Sequence, residues 1–155
     1  MRDKRFVAEH RGGLLKKEQH RQLMQWGCDC AENVLSLFGK EMDKRLGYAI
    51  TVAKEWINGN ASVGNARDAS LGAHLVARES TDPTSIAVAR SVGHAVATAH
   101  MADHSLGAAL YALKAVKSAG KSIEVERNWQ NEKLPVEIME LVKTARNKKE
   151  KALKI

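Results

Sequence analysis

The chain has 155 residues, of which 44% are hydrophobic, 28% charged and only 5% aromatic, and it carries a formal charge of +7. That length fits one domain able to bury about 68–70% of the surface its unfolded chain exposes, so it needs no disulfide or metal staple. No run approaches the roughly 20 apolar residues of a membrane span, and the opening MRDKRFVAEHRGG lacks the apolar stretch of a signal peptide.

Cys28 and Cys30 are two apart, a spacing that points them in different directions on a helix. They make a poor disulfide and too small a zinc site, and they read as reduced thiols of a cytoplasmic protein. The charge is uneven. Residues 1–21 hold seven basic and three acidic side chains, residues 141–155 six and one, and the body between them twelve and fourteen. Basicity at the two ends of a mildly acidic body suits solvated helix ends better than a nucleic-acid interface.

In chain order, residues 1–13 read as an irregular basic N-terminus ending in Gly12-Gly13. A first helix is expected from about Leu14 to Phe38, with Leu23, Trp26, Cys30, Val34 and Leu37 recurring at helical steps. Asp43 can cap a second helix, whose inward residues include Leu46, Ile50, Ala53 and Trp56 and which ends at Asn58-Gly59-Asn60. Ser62 or Asn65 opens a third, Ala-rich helix to about Glu79. Asp82-Pro83 is an N-cap acid followed by a first-turn proline. The stretch from there to about Ser118 keeps a helical step throughout, as one helix or as two joined near Met101-Ala102-Asp103. A short helix follows at about Ser122–Gln130, and Leu134-Pro135 starts a last helix that runs into the lysine-rich end at 141–155. No alternating apolar pattern suggests a strand. The expectation is a single all-α domain, a compact bundle of six or seven helices whose antiparallel pairs can stack in a solenoid-like way. Its Ala- and Gly-rich faces would also suit a homodimer.

Four of the six histidines, His74, His94, His100 and His104, lie in the middle of the chain. His100 and His104 are four apart and so about 40° around a helix, on one face. With His94 they make a candidate metal site, although the glutamate of the zincin signature is missing between them. Arg67, Asp68, Arg78 and Glu79 can pair along the third helix, and the three tryptophans, Trp26, Trp56 and Trp129, lie in apolar helical patterns that place them in the core. No serine elbow, phosphate-cradling loop or converging carboxylate pair is present, so no catalytic residues and no cofactor are predicted.

The block GHAVATAHMADHSLGAALYALKA at 93–115 carries a resemblance. So do, in the same order along the chain, CAENVLSLF (30–38), AITVAKEWINGN (49–60), ARDASLGAHLVARES (66–80) and RNWQNEKLPVEIMELV (127–142). Together they resemble an all-α family of immunity proteins of bacterial polymorphic toxin systems. The family pattern includes residues at His74, Glu79, His94, His100, His104 and Tyr111, and it attaches no role to them. The resemblance implies a non-enzymatic protein that binds a cognate toxin and occludes it. The mildly acidic body with basic ends departs from the acidic surface of an inhibitor that mimics nucleic acid. The face expected to meet a partner is the one carrying His74, Arg78, His100 and His104. The alternatives are a metal-binding helical protein using His94, His100 and His104, or a nucleic-acid-associated protein using its basic ends.

Overall fold

Local capping chemistry sets most of the helix starts. In the computed structural model, which describes residues 2–39, 41–153 and 155, the Asp43 carboxylate accepts the Arg45 N–H at 2.9 Å and opens helix α2. Ser62 and Asn65 close a reciprocal box at the start of α3. Asp82 accepts the Ser85 N–H at 3.0 Å ahead of Pro83 at the start of α4, and Ser122 does the same for Val125 at α6. Each such cap satisfies an N–H that the helix itself leaves orphaned.

Among the described residues seven α-helices result: α1 Lys17–Asn33, α2 Lys44–Ile57, α3 Val63–Glu79, α4 Pro83–Ala97, α5 His104–Ser118, α6 Ile123–Glu132 and α7 Val136–Leu153. The described residues are 75% helical and form no strand, so the chain is an all-α bundle. None of these helices is long and apolar enough to cross a membrane.

Two expectations change at the first helix. It spans Lys17–Asn33 rather than Leu14–Phe38, because Leu35–Leu37 tighten into a separate 3-10 turn. The N-terminal segment is ordered rather than irregular. It forms 3-10 turns at Lys4–Phe6 and Glu9–Arg11, doubles back through Gly12 at φ +83°, and pairs Ala8 with Leu15 through the Glu9 N–H to Leu15 carbonyl and Leu15 N–H to Val7 carbonyl bonds, 3.0 and 2.9 Å. Phe6 and Leu15 are 1% and 2% exposed. Burying two large side chains at about 25 cal/mol per Å² holds this segment against the body, and the periodicity of a helix gives no sign of it.

The long stretch after Pro83 is two helices. Residues 98–103 reverse the chain, and the contacts Thr84 with Ser118, Ser91 with Ala108 and His94 with His104 show that α4 and α5 run antiparallel. Thr98 ends α4, and its carbonyl takes a hydrogen bond from His20 Nε2 of α1 at 2.6 Å. α3 and α4 are likewise antiparallel, tied by Ser70 Oγ donating to the Gly93 carbonyl at 2.9 Å.

Helices α1 and α4 stand between two apolar clusters. Met24, Cys28 and Ala31 of α1 and Ala89, Val92 and Val96 of α4 pack with α2 and α3. Leu23, Trp26 and Cys30 of α1, Val34 just after it, and Ala87 and Val88 of α4 pack with the N-terminal segment, α5 and α7. Small side chains let the helices approach closely, as expected from the alanine content. Of the tryptophans only Trp26 is in the core, 1% exposed. Trp56 and Trp129 are half-buried at the edges, a correction to the core placement of all three.

In the lysine-rich end Lys143, Lys148, Lys149 and Lys151 are exposed, but the arginine is not. Arg146 is 3% exposed and donates to Gln130 Oε1 at 2.6 Å and Asn131 Oδ1 at 2.9 Å. Gln130 in turn donates to the Ala109 carbonyl, and its own carbonyl accepts the Trp26 indole N–H. This buried network fastens α6 and α7 to α1 and α5. Lys154, part of the same basic end, lies outside the described residues.

Candidate functional site

The antiparallel packing of α3, α4 and α5 lines up the four central histidines. His74 is on α3, His94 near the end of α4, His100 in the 98–103 reversal, and His104 at the first position of α5. Their rings form one ribbon. His74 meets His94 edge-on at a centroid distance of 5.3 Å, His94 lies 5.1 Å from His104, and His104 lies 5.3 Å from His100. Tyr111, two turns along α5, stacks on His94 at 5.2 Å with 13° between the planes.

Two glycines make room for this ribbon. A Cβ at Gly93 would lie 2.7 Å from the His74 ring, and one at Gly107 would lie 2.7 Å from His94 Nδ1. Gly93 lies inside α4 and Gly107 in the first turn of α5, where glycine costs up to about 1 kcal/mol relative to alanine, and a ring fills the space that a methyl would take. The sequence carries the trace of this arrangement in helical glycines next to or near histidines, a signal that spacing alone does not interpret.

Hydrogen bonds constrain the protons on three of the four rings. Arg90 donates to His74 Nδ1 at 2.7 Å, so the His74 proton is on Nε2. His94 and His104 face each other through Nδ1 at 3.0 Å, which requires one of them to carry a proton there and the other to accept it. Burial keeps the rings neutral. It pushes His74 down to about 4, with the Arg90 charge adding to it, and His94 down to about 3, with His104 and His74 adding to it. Burial lowers His104 as well, against the opposing pull of Asp103, and lowers His100 with help from Arg67. Neutral imidazoles in a half-buried row present flat apolar faces together with polar edges.

The structure thus brings His74, His100 and His104 together, with His94 as the link between His74 and His104. Arg78 is exposed one turn beyond His74 on α3. Leu71 and Leu75 are 61% and 43% exposed on the same stripe of that helix, since positions 71, 74, 75 and 78 share a face. Glu79 pairs with Arg45 of α2 at 2.6 Å rather than along α3. For the metal reading, His94 and His104 are joined to each other through Nδ1 while the His100 Nδ1 atom is buried without a partner. Among the described residues no three His, Cys, Asp or Glu side chains are grouped to hold a metal ion. Arg90 is the site residue that sequence reasoning missed: nothing in an Ala-rich helix announces that its arginine reaches a histidine on the preceding one. Both cysteines are free and buried, and burial pushes the Cys28 thiol up to about 12.

Exposed Leu71, Leu75 and Arg78 lie beside this row of half-buried rings on the helical scaffold. The fold defines a class, an all-α helical bundle. The chain belongs to the Imm-5 like putative immunity protein family, whose model matches residues 13–137. No curated protein and no solved structure matches it.

Proposed function

We propose that this chain is the immunity component of a toxin system: it binds a cognate protein toxin inside the producing cell and neutralises it by occlusion, without catalysis. The observation that carries this reading is the family match, because residues 13–137 hold the whole histidine ribbon and the α3 stripe beside it. The character of that face supports it. His74, His100, His104 and Arg78 stand beside exposed Leu71 and Leu75, a mixture of rings, arginine and apolar side chains of the kind that anchors protein interfaces. The His74, His94 and His104 rings are held by packing against Gly93 and Gly107 and by hydrogen bonds, so little freedom of those side chains is lost when a partner docks.

The test is affinity for the toxin domain recovered with the chain from its host. Joint alanine substitution of His74, Arg78, His100 and His104 is expected to weaken binding by about 2 kcal/mol or more. Unchanged affinity, with the helical content of the variant intact, would mean that the toxin sits elsewhere.

A further inference from the structure

At the end of the bundle that His100 shares, a groove of ≈ 540 Å³ opens between the N-terminal segment, the start of α1, the end of α2, the start of α3 and the 98–103 reversal. Its floor is apolar, formed by Leu15, Trp56, Ala99 and Ala102. His20 fixes that floor: its Nε2 donates to the Thr98 carbonyl while its ring packs against Trp56 at 4.9 Å. The walls are basic. Arg2, Arg11, Lys17 and Arg21 line it, and Glu9 is the one acidic lining residue. Arg2 and Arg21 make only long surface ion pairs of 3.8 Å, and among the described residues Arg11 and Lys17 make none. The basic N-terminus is therefore one side of a cleft rather than a loose tail.

We propose that this groove receives an acidic polypeptide segment that also carries an apolar anchor: carboxylates lie against the arginine and lysine walls, and a hydrophobic side chain rests on the half-buried Trp56. Charge complementarity selects the acid, with four cations against one anion. The layout selects a polypeptide over a phosphate compound. The cations come from two elements, Arg2 and Arg11 from the N-terminal segment and Lys17 and Arg21 from α1, and they accompany an apolar floor rather than a polar one. A strand with spaced carboxylates fits such a cleft, and the apolar floor explains why an anchor is needed. That the segment belongs to a toxin rests on the function proposed above. That the groove takes acidic peptide does not.

The probe is a short fluorescein-labelled peptide alternating glutamate and leucine, with a glutamine–leucine peptide as control, read by fluorescence anisotropy against the full chain. The acidic peptide is expected to bind about tenfold or more tighter than the control and to weaken as salt is raised from about 50 mM to about 300 mM. The Arg11→Glu/Lys17→Glu variant is expected to lose that preference. Lys143→Glu/Lys148→Glu, which makes the same charge change at exposed positions of α7, is expected to keep it. Equal affinity for the two peptides, or equal loss in both variants, overturns the proposal. Displacement of the peptide by inorganic phosphate or ATP at comparable concentration overturns it in favour of a phosphate site. Toxin neutralisation by the same variants separates the two readings. If the Arg11/Lys17 variant loses the peptide yet neutralises toxin like the wild type, the groove is not where the toxin inserts. If the wild type binds peptide and neutralises no toxin, the immunity reading falls and the groove stands.

Discussion

Acid should loosen this bundle well before its carboxylates protonate, and His94 is the residue that shows why. In the unfolded chain its imidazole titrates at the ordinary value of 6.5, while in the folded protein burial against His104, His74 and Tyr111 pushes it down to about 3. The unfolded state therefore binds more protons than the folded state at every pH between those values, and stability falls as pH falls. The contribution is fully present above about 6.5 and is lost progressively below it. Between about pH 7 and about pH 5 the linkage relation gives a loss of about 2 kcal/mol from this one ring. His74 shifts in the same direction, down to about 4, but it is closer to solvent and adds a smaller, screened share. The assay is urea unfolding of the wild type and of His94→Gln at both pH values. The variant loses the stack on Tyr111 and is less stable at neutral pH, so only the difference in pH slope bears on the reasoning. The wild type should lose about 2 kcal/mol more than the variant across that interval. Equal slopes, or a wild type whose stability is flat from about pH 7 to about pH 5, would refute the claim that the ring is buried neutral.

The two ribbon glycines predict opposite signs from a third. Gly107→Ala places a methyl 2.7 Å from His94 Nδ1 and is expected to cost about 1–3 kcal/mol in chemical unfolding. Gly72→Ala on α3 meets nothing within 4 Å and should stabilise by about 1 kcal/mol through helix propensity; a stabilising Gly107→Ala would show that the ring is not where the packing puts it. The thiols of Cys28 and Cys30 are both 0% exposed, and burial raises both well above the usual thiol range. A disulfide-exchange reagent at neutral pH should therefore label them only as fast as the protein unfolds, and rapid labelling of native protein would contradict their burial.

Much of the scaffold was legible because caps are local chemistry. Asp43, Ser62, Asp82-Pro83 and Ser122 act on N–H groups two or three residues away, and each opens the helix expected of it. The reversal at 98–103 was not legible to the same degree. His100 and His104 keep a helical step across it, and Asp103 supplies no capping bond to announce the break. The order of the N-terminal segment was hidden for a related reason: Phe6 and Leu15 belong to short apolar runs without a helical period in a charged stretch, and their burial depends on α1, α5 and α7. The histidines were visible as a group, but their order, with His94 bridging His74 and His104, follows from antiparallel packing and not from spacing. Arg90, the two ribbon glycines and the basic groove all arise between helices that a one-dimensional pattern cannot place side by side.

The most direct test of the central claim is an inhibition titration of the cognate toxin's activity with the purified chain. Neutralisation by occlusion predicts that activity falls linearly to zero at one chain per toxin, that the toxin is recovered chemically unchanged from the complex, and that alanine at His74, Arg78, His100 and His104 shifts the curve. Full toxin activity in a saturated complex, or loss of toxin by turnover at far less than one chain per toxin, would contradict it.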